Sequence, residues 1–178
     1  MRKAAPALEV VEAGIGLQRT HGPWPAAISC GLAGGLAREL ETGTVVIPPY
    51  VGSSDGAVRT CDVELAGKLR IAAESLGIVC RSLPIVTLPV LAQGADRVLW
   101  ARRGYAAADM ESAAIETERL ACIRVVLDTP KREISPAWLH PWRAMADPRA
   151  WMDLPFLVRE GPRCAGLAAR VVALAFQK

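Results

Sequence analysis

The sequence predicts one α/β domain built on a central, mostly parallel mixed sheet flanked by helices. Three observations predict it. Short apolar and β-branched runs alternate along the chain with segments of helical period. Residues 123–127, Ile-Arg-Val-Val-Leu, are almost continuously apolar, as in a strand covered on both faces. The closing segment puts Cys164, Leu167, Ala168, Val171, Val172 and Ala175 on one helical stripe, with Arg163 and Arg170 elsewhere on its surface. With 178 residues, 52% of them hydrophobic, the chain suffices for one core, so residues 1–178 read as a single domain.

The elements follow in order. Residues 10–13 read as a short strand ending in the turn Gly14-Ile15-Gly16. Residues 26–30 form a second apolar run that enters a glycine turn over residues 31–35. Residues 44–47 are β-branched and stop at Pro48-Pro49, where the missing N–H ends a ladder. Asp62 is placed as an N-cap, Leu65, Leu69, Ala72, Ala73 and Leu76 follow at helical spacing, and Gly77 closes the helix. Residues 78–87 hold one or two strands broken near Pro84. A helix is expected over 95–103 with Gly104 as its stop, a small-residue strand over 106–110, and a helix over 111–121. Residues 129–159, rich in Pro and Trp, read as short helices and loops packed over the sheet edge or a site.

Several classes are excluded. The formal charge is only +3, with no basic run or aromatic-interleaved stripe, so no nucleic-acid partner is implied. The basic N-terminus lacks an apolar segment of signal-peptide type, and no stretch is long enough without charge to span a bilayer. A cytoplasmic protein is expected. Cys30, Cys61, Cys80, Cys122 and Cys164 are odd in number and far apart, and His21 and His140 are isolated. Neither a zinc site nor a disulfide framework is expected. The apolar neighbours of Cys30, Cys122 and Cys164 point to buried thiols in a reducing compartment.

Three motifs lie where ligands bind in open α/β sheets, at the carboxyl ends of strands. The first is Cys30-Gly31-Leu32-Ala33-Gly34-Gly35-Leu36, whose glycines let backbone N–H groups approach a ligand, or simply make a tight turn. The second is Ala107-Ala108-Asp109-Met110-Glu111-Ser112. Glu111 suits a vicinal diol and Met110 a sugar or base face, but Glu111 equally suits a helix N-terminus and Met110 the core. The third is Arg124 to Thr129. Asp128 ends a buried strand, where desolvation favours a general acid, though an N-cap is the more frequent role. Arg124 within that strand requires a carboxylate or anion partner.

In order and spacing, Gly14–Gly16, the glycine motif followed by Gly43-Thr44-Val45-Val46-Ile47-Pro48, the Asp109–Ser112 motif and Arg124–Asp128 resemble the purine nucleoside phosphorylase superfamily. That superfamily includes methylthioadenosine/S-adenosylhomocysteine nucleosidase and futalosine hydrolase. The closest resemblance is to the hopanoid-associated phosphorylases, through the apolar residue in the glycine motif and the tail over residues 147–169. The resemblance implies a nucleoside phosphorylase-like fold and cleavage of the N-glycosidic bond of a purine nucleoside. It implies that Glu111 binds the ribose hydroxyls with Met110 beside the sugar. Asp128 would protonate or hydrogen-bond the purine N7, with Arg124 supporting its geometry. Gly31, Leu32, Ala33 and Gly34 would lie beneath the sugar and nucleophile, and Leu88 and Val90 would cover the base. It implies a homo-oligomer and no cofactor, phosphate being the co-substrate of a phosphorolysis. Departures from the family pattern stand beside it. The family's first strand has no counterpart, Leu32 stands where many relatives carry serine, and Leu127 replaces the usual serine before the aspartate.

Overall fold

The computed structural model describes residues 9–12, 14, 23–139 and 141–177. A long parallel pair forms the middle of the sheet. Strand β1 (Trp24–Gly35) runs beside β8 (Thr117–Asp128), in register from Trp24 opposite Thr117 to Gly34 opposite Asp128, with a bulge after Ala33. Between them in sequence come β2 (Val45–Val46), β3 (Tyr50–Ser53), β4 (Val58–Thr60), α1 (Val63–Ser75), β5 (Cys80–Arg81), β6 (Ile85–Thr87), α2 (Gly94–Arg102) and β7 (Ala107–Asp109). After β8 come a 3-10 turn (Pro136–Leu139), α3 (Pro141–Ala146), α4 (Pro148–Trp151) and α5 (Leu154–Ala175). The eight strands lie in the order β4-β3-β6-β7-β1-β8-β2-β5. The pairs β3–β6, β6–β7, β1–β8 and β2–β5 are parallel, the other three antiparallel. This is the mixed, mostly parallel sheet flanked by helices that the sequence predicts.

The two faces of β8 show how a period of two builds two cores. Ala121, Ile123 and Val125 join Leu69 and Ala73 of α1 and Cys164, Ala168 and Val171 of α5. Leu120, Cys122 and Val126 face the other way, against Val46, Val51, Ile85 and Ala107. Arg124 and Asp128 share the parity of this second set, so the strand that builds the helix-covered core also delivers two charged groups to the opposite face. Asp62 caps α1 by accepting from the Leu65 N–H, 2.9 Å, and Gly77, at φ +69°, follows the helix end. Gly104, at φ +92°, closes α2 in the same way. The stripe of α5 is buried at Cys164, Ala168, Val171 and Val172.

Four expectations are corrected. Residues 31–35 are not a turn but the end of β1. Their missing Cβ atoms serve close packing: a Cβ on Gly31 would lie 2.8 Å from Arg124 Nη1, and one on Gly35 3.2 Å from Val126 Cγ1. Residues 111–121 are not a helix. Ser112–Ala114 make one 3-10 turn, and β8 starts at Thr117, because pairing with β1 along its whole length outweighs local helix spacing. Residues 10–12 lie outside any strand, and Ala13, with Ile15 and Gly16 of the first glycine turn, lies outside the described residues. The short-helix region ends earlier than expected, since α5 begins at Leu154 and carries Pro162 within it.

Cys122 and Cys164 are buried as expected, while Cys30 is half-buried, and all five thiols are free. His21 and His140 lie outside the described residues. Among the described residues no helix is long and apolar enough to cross a membrane.

Candidate functional site

A cavity of about 200 Å³ opens at the carboxyl ends of β1, β7 and β8. These strands are neighbours in the sheet, so residues far apart in sequence meet there: Leu32, Ala33 and Gly34 from β1, Met110 and Glu111 just after β7, and Asp128 from β8. Val90 contributes from the loop after β6, and Ile134, Trp138 and Leu139 from the segment after β8. Most of the wall is apolar, so the few polar groups in it are the ones that can orient a ligand.

Beneath Glu111 lies a buried polar network. Arg124, 2% exposed, donates from Nε to Asp109 Oδ2 at 2.7 Å, and from Nη2 to Ser29 Oγ at 2.6 Å and Ser112 Oγ at 2.8 Å. Asp109 also accepts from Thr87 Oγ1 at 2.6 Å and from the Ser112 hydroxyl. Burial works against the Asp109 carboxylate, but Arg124, Ser112 and Thr87 together hold it below its ordinary pKa. Glu111 lies at the upper edge of this network. Its Oε2 is 3.7 Å from Arg124 Nη2 and accepts from the Met110 N–H at 3.3 Å, and its side chain remains 23% exposed toward the cavity. The carboxylate or anion partner that Arg124 requires is therefore Asp109, with Glu111 beyond it.

Asp128 sits in different company. Its Oδ2 accepts from Arg97 Nη2, and Arg97 also donates to the Gly35 carbonyl at 2.5 Å and lies 3.3 Å from Glu133 Oε1 through Nε. Arg97 is the one buried residue of α2. Burial pushes the Asp128 carboxyl up from its ordinary pKa, while the Arg97 guanidinium pulls the other way. Gly34 makes room for this pair: a Cβ there would lie 3.0 Å from Asp128 Oδ1 and 3.6 Å from both terminal nitrogens of Arg97.

The structure thus brings Leu32, Ala33, Gly34, Val90, Met110, Glu111 and Asp128 to one wall, and it does not bring Gly31, Leu88 or Arg124 there. Gly31 lies over the Arg124 guanidinium, and Leu88 is buried with Leu36, Val86 and Ala92. Arg124 serves Asp109 and Glu111 rather than Asp128, because its side chain leaves β8 four residues earlier and meets the end of β7 first. Sequence reasoning missed Arg97. An arginine beside Asp96 on a short helix reads as a solvated charge, and nothing in the periodicity marks it as buried. Ser29, Ser112 and Asp109 were equally silent as a network, although Asp109 stands inside the motif that carries Glu111. Of the tryptophans after β8, Trp138 lines the cavity while Trp142 and Trp151 are exposed. Among the described residues no group of three or more His, Cys, Asp and Glu side chains is placed to hold a metal ion.

No protein-family model matches the chain, and no curated protein matches it in sequence. Its fold is similar to that of solved nucleosidases. The 5'-methylthioadenosine/S-adenosylhomocysteine nucleosidase of Neisseria meningitidis, in complex with methylthio-immucillin-A, superposes with a TM-score of 0.64 at 23% identity, over 85% of this chain and 68% of that one. The S-adenosylhomocysteine nucleosidase of Streptococcus pyogenes, in complex with 5-methylthiotubericidin, gives 0.63 at 15% identity, over 85% and 66%. The native futalosine hydrolase of Helicobacter pylori strain 26695 gives 0.62 at 13%, over 85% and 67%. At these identities the likeness establishes the fold.

Proposed function

We propose that this chain cleaves the N-glycosidic bond of a purine nucleoside, with adenine as the leaving base. The observation that carries the reading is the meeting of Glu111, Met110 and Asp128 around Gly34 in one mostly apolar cavity. Glu111 accepts hydrogen bonds from the ribose 2′- and 3′-hydroxyls, and Met110 packs beside the sugar. Leu32, Ala33 and Gly34 lie under the sugar, and Val90 covers the base. Asp128 hydrogen-bonds and protonates the purine at N7. As the bond breaks, the sugar becomes oxocarbenium-like and the base gains electron density. The contacts from Glu111 and Asp128 both strengthen, and such differential binding lowers the barrier. Arg124 acts from below, holding Asp109 and Glu111 in place.

The nucleoside analogues bound in the similar nucleosidases support a purine nucleoside as ligand. Water as nucleophile makes the reaction a hydrolysis; phosphate makes it a phosphorolysis, with phosphate as co-substrate and no cofactor. The wall of Leu36, Leu91, Ile134, Trp138 and Leu157 suits a lipophilic 5′ substituent such as that of adenosylhopane, which would place the reaction in hopanoid biosynthesis. The reading carries with it a cytoplasmic homo-oligomer, and a monomer by light scattering counts against that assembly.

The test is turnover of adenosine and methylthioadenosine by Glu111→Gln and Asp128→Asn. Each is expected to lose about 10²–10⁴-fold in turnover, the worth of one positioned acid or charge-strengthened contact. Turnover equal to the parent's in both variants would show that the site is assigned wrongly. A second reading, a nucleoside-binding protein without turnover, is favoured by the Arg97 pair on Asp128, which ties up one oxygen of the acid. Under it the two substitutions weaken binding in a parent that releases no base.

A further inference from the structure

Helices α3 and α4 reverse the usual order of burial. Their small residues Ala144 and Ala150 are buried, while Trp142, Met145, Trp151 and, just after α4, Met152 are each more than half exposed, Trp142 at 81%. Trp151 Nε1 donates to the Met145 carbonyl at 3.2 Å, so the two helices present one joined patch rather than scattered side chains. Trp138 Nε1 donates to the Ala150 carbonyl at 3.1 Å, which ties the patch to the cavity wall that Trp138 and Leu139 line. A helix on the surface of a soluble monomer turns its large apolar side chains inward. A joined apolar patch left outside marks an interaction surface.

The charges around the patch decide what it meets. Lys131 and Arg132 are exposed, and Arg132 stacks on the Phe156 ring at 4.2 Å, beside the start of α5. Arg159, farther along the same helix, is 84% exposed. The acids of this stretch are engaged within the protein. Glu133 is held by Arg97 and the Gly94 N–H, Asp153 accepts from the Ser135 N–H at 2.9 Å, Asp147 lies 3.4 Å from Ser135 Oγ, and Glu160 pairs with Arg163. The face is therefore apolar with a basic margin. A second copy set against it about a twofold axis would bring the same bases together. An anionic lipid surface supplies the opposite charge, and its headgroup layer is where indole rings and apolar side chains settle.

We propose that this face docks on an anionic bilayer surface, with Trp142, Met145, Trp151 and Met152 entering the headgroup layer and Lys131, Arg132 and Arg159 meeting lipid phosphates. The attachment is to the surface and reversible, not a span. It holds the cavity wall of Trp138 and Leu139 close to the lipid. The docking is argued from the surface alone and does not depend on the chemistry proposed for the cavity.

The test is co-sedimentation of the whole chain with vesicles of phosphatidylcholine and with vesicles of an equimolar phosphatidylcholine–phosphatidylglycerol mixture, at low and high salt. The parent is expected to sediment with the mixed vesicles, less so at high salt, and its tryptophan emission is expected to shift to the blue on binding. Trp142→Gln with Met152→Gln is expected to weaken vesicle binding about tenfold or more. Lys131→Gln with Arg159→Gln is expected to weaken it about fivefold for each base removed. Both double variants are expected to keep the parent's melting temperature, since the four side chains lie outside the core. A parent that stays in the supernatant with the mixed vesicles overturns the proposal whether or not any variant folds. Equal sedimentation with neutral vesicles overturns it as well, as do folded variants that bind like the parent. Self-association by light scattering, abolished in Trp142→Gln with Met152→Gln and found in a parent that ignores vesicles, overturns it and assigns the face to a second copy.

Discussion

Removing the Asp109 carboxylate with Asp109→Ala takes away the main counter-charge of Arg124, whose guanidinium is 2% exposed beside an Asp109 side chain of 0% exposure. Thr87 Oγ1 and the Ser112 hydroxyl lose their acceptor as well. Breaking one side of a buried pair costs about 3–5 kcal/mol, because the remaining charge is left without compensation. Glu111, already 3.7 Å from Arg124 Nη2, can move toward the vacated place and recover part of this, which favours the lower end of the range. For a chain of this size each kcal/mol moves the melting temperature by about 2–4 °C, so the expected fall is about 6–20 °C. The assay is thermal unfolding followed by circular dichroism at pH 7. The companion variant is Asp109→Ala with Arg124→Met. It removes both charges and is expected to recover a good part of the loss, since an apolar side chain can occupy the space without an orphaned cation. A fall of less than about 3 °C in the single variant would refute the reasoning, because the ladder and packing alone would then hold the end of β7. A double variant less stable than the single by the full cost of losing Arg124 would refute the charge argument specifically.

Gly31→Ala places a Cβ 2.8 Å from Arg124 Nη1, a side chain that its partners do not allow to yield. It is expected to cost about 1–3 kcal/mol in a denaturant titration, and no loss would mean that the guanidinium shifts freely. The lowered pKa of Asp109 gives the native state a carboxylate-dependent stability. That stability is fully present above the ordinary value of 3.8 and is lost as pH falls through the lower folded value. The parent is therefore expected to lose stability on acidification below about pH 4 more steeply than Asp109→Asn, read as melting temperature against pH; parallel curves would count against it.

The sheet was legible where pattern and chemistry agree. Asp62 as cap, Gly77 and Gly104 as stops, the α5 stripe and the buried middle of β8 all follow from short-range signals, and each stands where the sequence places it. The first half of β8 was not legible. Glu118 and Arg119, following Glu116, carry charge at a spacing compatible with a helix, and only the partner strand, some ninety residues earlier, decides otherwise. The glycines of β1 misled for a related reason. Glycine marks turns locally, but Gly31 and Gly34 exist to admit Arg124 and the Arg97–Asp128 pair, which no local window contains. Of the site, Glu111, Met110 and Asp128 were legible as strand-end residues. Arg97 was not, because burial of a lone helical arginine is a tertiary fact.

The central claim is that the cavity lined by Glu111 and Asp128 breaks a purine nucleoside. The measurement that tests it most directly is adenine release from adenosine, methylthioadenosine and a lipophilic 5′-substituted adenosine, with and without phosphate. Release abolished by Glu111→Gln and Asp128→Asn is the predicted result, its dependence on phosphate distinguishing phosphorolysis from hydrolysis. No release from any of the three, by a protein that still binds adenine, would contradict the account and leave a binding protein in its place.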